Sequence, residues 1–224
     1  MSKITIAIPT SRMEGGDKLF TRCLNSLWDQ TFQDFDIVVT DNSDDDTIKD
    51  ICDYYKAGIN YYRNPIKGMA QNTNEAIRRS KGDLIKILYM DDFLVETEAL
   101  MCILNKFDDD VNWLAAACIH VDTLGNIGGT HRPHYNDKIH TGLNTIGSPS
   151  VITIRNKDPL MFDENLTWLL DCCYYRRLHD KYGEPAIIKH KPLVGIGIGL
   201  HQMTNILSRE IKQKEYIYLA NKYK

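Results

Sequence analysis

The 224-residue chain is expected to fold as an α/β protein around a mainly parallel central sheet. Strand-like runs alternate with helical periods through the first hundred residues, the order of β-α-β units joined by crossovers. The run Leu84-Ile85-Lys86-Ile87-Leu88 is nearly continuous in apolar residues, as in a strand covered on both faces. It leads directly into Asp91-Asp92, two carboxylates too costly to leave unpaired in such a core. They belong just past the strand's carboxyl end, the edge where open α/β sheets bind ligands.

Each element follows from its own pattern. Ile4 to Ile8 reads as the first strand, and Asp17 to Gln30 as a helix with Leu19, Phe20, Cys23, Leu24 and Leu27 at helical spacing. Phe35 to Thr40 is a strand, Thr47 to Ala57 a helix stopped by Gly58, and Ile59 to Tyr62 a short strand. Met69 to Ser80 is a helix before the Leu84 to Leu88 strand. Beyond it, Glu96 to Phe107 reads as a helix and Trp113 to Val121 as one strand. The Gly-, His- and Asn-rich stretch from Leu124 to Ile146 is a hairpin or a mobile loop, with Gly125 to Gly147 a candidate lid. Val151 to Ile154, Ala186 to Ile188 and Leu193 to Ile198 are strands. Leu166 to Tyr182 and Ser208 to Tyr223 are helices, the latter with Lys212, Lys214, Lys222 and Lys224 as one solvated face. No Pro-, Gly- or Ser-rich linker interrupts the chain, so residues 1–224 are expected to form one domain.

Composition narrows the function classes. A hydrophobic content of 43% and a charged content of 25% are those of an ordinary globular protein. The net charge of −3 argues against non-specific grip on a phosphate backbone. No apolar run reaches the roughly 18–20 residues of a membrane span, and Met1-Ser2-Lys3-Ile4 enters a strand pattern where a secretory signal would be. The six cysteines form no Cys-x-x-Cys pair and lie within apolar patterns. They read as buried free thiols, consistent with a reducing, cytoplasmic location.

Three strand ends point one way: Pro9-Thr10, Asp41 and Asp91-Asp92. Paired carboxylates there suit a divalent cation, and a cation there suits a diphosphate. Asp41 falls directly at its strand end, where it can accept a hydrogen bond from a nucleobase ring N–H. Asp44 to Asp46 read as a turn and helix cap. They do not make a calcium loop, because Asp46 occupies its glycine position and Cys52 its terminal glutamate position. Gly68 opens a helix as a turn that can approach a phosphate closely. Gly195-Ile196-Gly197-Ile198-Gly199-Leu200 fails the dinucleotide fingerprint, since Leu200 holds the third glycine's place. His131, His134 and His140 lack metal-ligand spacing.

These blocks, in this order, resemble a family-2 glycosyltransferase over nearly the whole chain. The resemblance rests on Ile6 to Thr10, Leu24 to Thr31, Ile37 to Ser43, Gly68 to Asn74 with Gly82, and Leu88 to Asp92. Phe162 to Leu166 and Leu170-Asp171 with Arg177-Leu178 complete it. It implies the GT-A fold, a Rossmann-like central sheet with a smaller mixed sheet on the acceptor side. Residues 1–92 would be the nucleotide-sugar half and 93–224 the acceptor and catalytic half. Asp41 would bind the base of a nucleoside diphosphate, usually uracil. Asp91 matches the carboxylate near the ribose and diphosphate, Asp92 the ligand of Mn2+ or Mg2+, and Asp171 the catalytic base. Gly68 and Asn74 match the loop flanking the nucleotide, and His201 a histidine near the phosphates or metal. Two positions depart from the pattern: Tyr89 stands where an earlier carboxylate is common, and Thr73 where an arginine is common. Diphosphate neutralisation would then fall to the metal with Lys67 or Arg12.

The implied reaction moves a sugar from a UDP-linked donor to an acceptor hydroxyl by one displacement, with inversion. A sugar-phosphate nucleotidyltransferase and a nucleotide-sugar-binding module without turnover are the alternatives. The former normally begins with a glycine-rich strand-loop followed by arginine, which the stretch after Ile8 does not supply. The acceptor is left open among polysaccharide, lipid-linked sugar, protein and a modified nucleic-acid base.

Overall fold

A computed structural model describes residues 3–55 and 58–223. Ala57, the expected end of the second helix, and Lys224 lie outside the described residues. The first half follows the sequence pattern closely. Strands β1 (Ile4–Thr10), β2 (Phe35–Asp41), β3 (Ile59–Arg63) and β4 (Leu84–Ile87) alternate with helices α1 (Gly16–Trp28), α2 (Thr47–Tyr55) and α3 (Met69–Arg79). A two-residue strand β5 (Phe93–Leu94) and the short helix α4 (Ala99–Leu104) follow. The expected helix from Glu96 is shorter at both ends, because residues 93 and 94 pair with a distant strand and Thr97 O accepts the N–H of Thr31 at 2.8 Å.

The second half holds β6 (Trp113–Ala116), β7 (Cys118–Asp122), β8 (Ile127–His131), β9 (Ile152–Arg155), α5 (Leu170–Tyr182), β10 (Ala186–Ile188), β11 (Val194–Ile198), α6 (Met203–Ile206) and α7 (Arg209–Lys222). Two sheets organise them. The larger has the order β10-β6-β9-β4-β1-β2-β3, with β4, β1, β2 and β3 parallel and β9 antiparallel to both its neighbours. The smaller has the order β5-β11-β7-β8 and is mixed.

The single strand expected over Trp113 to Val121 divides at Ala117. Its first part joins the large sheet and its second the small one. Ala117 holds the crossing by donating to Ile188 O at 2.8 Å and accepting from Leu193 N at 2.9 Å. The run is apolar throughout, so its periodicity carries no mark of the change of sheet. The Leu124 to Ile146 segment does hold the turn and the second strand of the β7–β8 hairpin, but the candidate lid is pinned. Ile139 and Ile146 are fully buried, and the His131 ring meets the carbonyls of Thr145 and Ile146 at 3.1 and 3.2 Å.

The core lies between the large sheet and its helices, with Ile4, Ile6, Ile8, Phe20, Leu24 and Ile37 wholly buried. β4 breaks the apolar rule at its centre, where Lys86 is completely buried. Its ammonium donates to the carbonyls of Ile87 at 3.0 Å, Ile152 at 3.3 Å and Ser150. Burial pushes its pKa down to about 7. All six cysteines are free, including the neighbours Cys172 and Cys173 on α5. No helix among the described residues is long and apolar enough to cross a membrane.

Candidate active site

A cavity of about 760 Å³ opens where the carboxyl ends of β1 and β4 face the small sheet and the start of α5. Pro9, Thr10, Arg12, Lys67, Gly68, Asp91, Asp92, Asp171 and His201 all line it, so the structure brings most of the expected site residues together. A second cavity, about 660 Å³ between α1 and β5, contains none of them.

Asp91 and Asp92 face in different directions. The turn that ends β4 is closed by Asp92 N–H donating to Tyr89 O at 2.9 Å. Asp92 points inward and is 2% exposed, accepting from Gly197 N–H at 2.8 Å and from the Ser148 hydroxyl at 3.4 Å. Burial, then the charge of Asp91, push its carboxyl well above the usual range. The Asp91 side chain is 20% exposed and meets His201 Nε2 at 3.0 Å. That bond holds the His201 pKa above its ordinary value. The carboxylate paired with His201 is therefore Asp91, while Asp92, to which the resemblance gave the ligand role, lines the same cavity.

The glycines of β11 explain this packing. Gly195 and Gly197 share one face of the strand and Gly199 follows just past its end; a Cβ on them would meet the Phe93 ring, Asp91 O at 2.5 Å and the His201 ring at 2.9 Å, respectively. Alternate glycines of β11 thus make room for Phe93 and the acid turn. Gly197→Ala is expected to destabilise the fold by about 1–3 kcal/mol, the usual range for overpacking, and to lower affinity for a nucleotide ligand. Urea denaturation and isothermal titration with UDP would check both.

Asp41 departs from its expected place. It is fully buried and absent from the cavity wall. Its carboxylate accepts from Ser43 N–H at 2.8 Å, the Tyr61 hydroxyl at 2.8 Å and the Thr10 hydroxyl at 3.3 Å, with Arg63 Nε at 3.5 Å. With those partners it ties the ends of β1, β2 and β3 together and leaves no free oxygen facing a base. Asn74 is likewise buried off the cavity. It donates to Phe162 O at 3.0 Å and Glu164 Oε1 at 2.9 Å and accepts from Phe162 N–H at 2.7 Å, which fastens α3 to the segment before α5.

Asn42 and Asn72, which the sequence reading passed over, do line the cavity. Asn72 donates to the carbonyls of Thr10 and Thr40, both at 2.9 Å. Asn42 accepts from Gly68 N–H at 3.1 Å and so sets the turn that opens α3, where Gly68 has φ +133°. Arg12 and Lys67 stand at the rim, paired with Asp45 at 3.1 Å and Asp44 at 2.5 Å.

Asp171 is the second residue of α5. Neither Arg176 nor Arg177 pairs with it: Arg176 bonds Asp180 at 2.8 Å and Arg177 reaches Met161 O. It accepts instead from its neighbour Cys172 N–H at 2.6 Å and from Asn144 Nδ2 at 2.7 Å. Burial raises its pKa to about 6 despite those bonds. Asn144 sits in the Gly- and Asn-rich loop, where nothing in the sequence separates it from other turn residues.

The profile of the family described as Glycosyl transferase family 2 matches residues 5–164. The chain belongs to that family. Chondroitin synthase of Escherichia coli is 26% identical over 216 residues, covering 91% of this chain and 30% of the relative. This member of the family therefore spans under a third of that relative's length. Among solved structures, S. aureus TarS with UDP has a TM-score of 0.70 at 18% identity, covering 99% of this chain and 71% of the other. TarS with UDP-GlcNAc gives 0.69 at 17%, covering 92% and 61%. The mannosyltransferase PcManGT from Pyrobaculum calidifontis, in complex with GDP-Man and Mn2+, gives 0.64 at 13%, covering 99% and 64%. At these identities the likenesses establish the shared fold, a mainly parallel sheet beside a smaller one.

Proposed function

We propose that the chain moves a sugar from a UDP-linked donor to an acceptor hydroxyl by one displacement with inversion, assisted by Mn2+ or Mg2+. The observation that carries this reading is one cavity lined by Asp91 and His201 on one side and Asp171 on the other. Residues 1–92 would hold the nucleotide and the rest of the chain the acceptor, as one domain. TarS structures holding UDP and UDP-GlcNAc support the donor class.

Asp91 and His201 fit a divalent cation. They bring a carboxylate oxygen and an imidazole nitrogen together at the cavity wall, 3.0 Å apart as a hydrogen bond, and would hold the cation in place of that bond. A cation held there supplies charge to offset the diphosphate as it leaves. Arg12 and Lys67 at the rim of the same cavity would exchange their partners Asp45 and Asp44 for the diphosphate. Asp171 takes the proton of the acceptor hydroxyl as that oxygen bonds to the anomeric carbon and the bond to the diphosphate breaks. The apolar run Trp168-Leu169-Leu170 lines the cavity beside Asp171. One base on the acceptor side implies one displacement, hence inversion. Six free cysteines support a reducing, cytoplasmic setting.

The test is a panel of nucleotide sugars with Mn2+ or Mg2+, read by thermal shift and by release of nucleoside diphosphate. UDP-sugars are expected to raise the melting temperature selectively, by about 2.7 kcal/mol of stabilisation at a hundred times Kd. Equal shifts from GDP- and UDP-sugars would defeat the donor assignment, and a product that keeps the donor's anomeric configuration would defeat inversion.

A further inference from the structure

We propose that Glu215, on the C-terminal helix, is a positioning residue for sugar transfer, an inference that rests on Asp171 as the base. Glu215 is 6% exposed, and its carboxylate faces the segment just ahead of α5. Oε1 accepts Thr167 N–H at 2.8 Å, and Oε2 accepts Trp168 N–H at 2.9 Å and Leu169 N–H at 2.8 Å. Three consecutive backbone donors thus converge on one carboxylate from a helix 46 to 48 residues away in sequence.

The clamped residues are those that matter for the acceptor side. Thr167, Trp168 and Leu169 line the cavity, and Asp171 follows two residues after Leu169. Leu169 is also the residue from which α5 starts, its carbonyl accepting Cys173 N–H at 3.0 Å, and no side chain of its own caps the helix. Glu215 therefore supplies from a distance what a local cap supplies elsewhere: it fixes where the first turn begins and so where Asp171 points. The same clamp seats the Trp168 ring, whose Nε1 donates to the Thr204 hydroxyl at 3.2 Å and whose edge meets Tyr216, one residue after Glu215, at 5.3 Å between centroids.

α7 has a separate anchor. The Tyr218 hydroxyl donates to Asp163 at 2.8 Å, and the Lys222 ammonium bonds the same carboxylate. Loosening that anchor weakens the docking of α7 without touching residues 167–169, so the two contacts can be varied independently.

Glu215→Gln keeps the shape of the side chain but turns one acceptor into an amide that faces N–H groups. Turnover of the UDP-sugar the parent hydrolyses fastest is expected to fall about 10–100-fold, the scale of a misplaced catalytic group. UDP affinity with Mn2+ should stay within about twofold, and amide hydrogen exchange at residues 167–169 should speed up about tenfold or more. Tyr218→Phe, the control, should lower the melting temperature with turnover unchanged. Parent-like turnover in Glu215→Gln, or unaltered exchange at 167–169, would overturn the proposal. Parent-like turnover in Asp171→Asn would overturn the base assignment instead, so the two failures are distinct. Should Glu215→Gln not fold, Glu215→Asp, which keeps the charge and withdraws the oxygens, is read by the same two measurements.

Discussion

Asp171→Asn is expected to lower sugar transfer by about 10²–10⁴-fold, the usual contribution of a positioned base, while UDP binding in the presence of Mn2+ is unchanged. The asparagine fills the same space beside Asn144 and Cys172 but cannot take a proton at neutral pH. The parent's turnover should fall as pH drops through about 6, where Asp171 becomes protonated; the residual rate of the variant should lack that limb. Stability moves the other way. The folded state holds the Asp171 proton more tightly than the unfolded chain does, so this group favours folding fully below its unfolded pKa near ~4. That contribution is lost as pH rises through about 6. At pH 7.5 the ionised carboxylate is a standing cost of roughly 3 kcal/mol by linkage, and the asparagine removes it while giving up one hydrogen bond, about 1 kcal/mol. The variant should therefore melt no lower than the parent at pH 7.5. A slow variant that is also destabilised would point to a structural role for Asp171.

The half of the chain with regular periods was legible residue by residue. β1 to β4 and α1 to α3 follow from apolar spacing, because each buries one face or both against its neighbours. What escaped the sequence depends on contacts between distant segments. The carboxylates of Asp91 and Asp92 look equivalent in the chain and both line the cavity, and the folded turn decides that Asp91 meets His201 while Asp92 accepts Gly197 N–H. The start of α5 is set by Glu215, a residue the sequence does not distinguish within its helix. Lys222 reads as part of the solvated lysine face of that helix, yet it bonds Asp163. Asp41 carried the right position at a strand end, but the burial that comes with four surrounding partners was not readable from the turn. The glycines of β11 gave a usable signal, since alternate glycines in a strand mark a face where something packs closely.

The second large effect is expected from Asp91→Ala, and it separates the two adjacent carboxylates. In the structure the His201 ring nitrogen meets the Asp91 carboxylate at 3.0 Å, a contact that a bound cation would replace. Together they present two donor atoms where the carboxyl ends of the strands meet the cavity. Removing the carboxylate should weaken UDP binding in Mn2+ by about 100-fold, in keeping with the several kcal/mol of charge stabilisation a metal ion supplies. In EDTA the parent and the variant should bind UDP alike, because the lost interaction runs through the cation. Asp92→Asn is the informative contrast. Asp92 is buried, pushed toward its protonated form by burial and by Asp91, and accepts Gly197 N–H, a bond an asparagine oxygen can keep. Its substitution should change UDP affinity by less than about threefold, the scale of one modest hydrogen bond. Isothermal titration of both variants with and without Mn2+ decides the matter: a metal-dependent loss confined to Asp92→Asn would return the ligand role to Asp92 and leave the Asp91–His201 pair as packing.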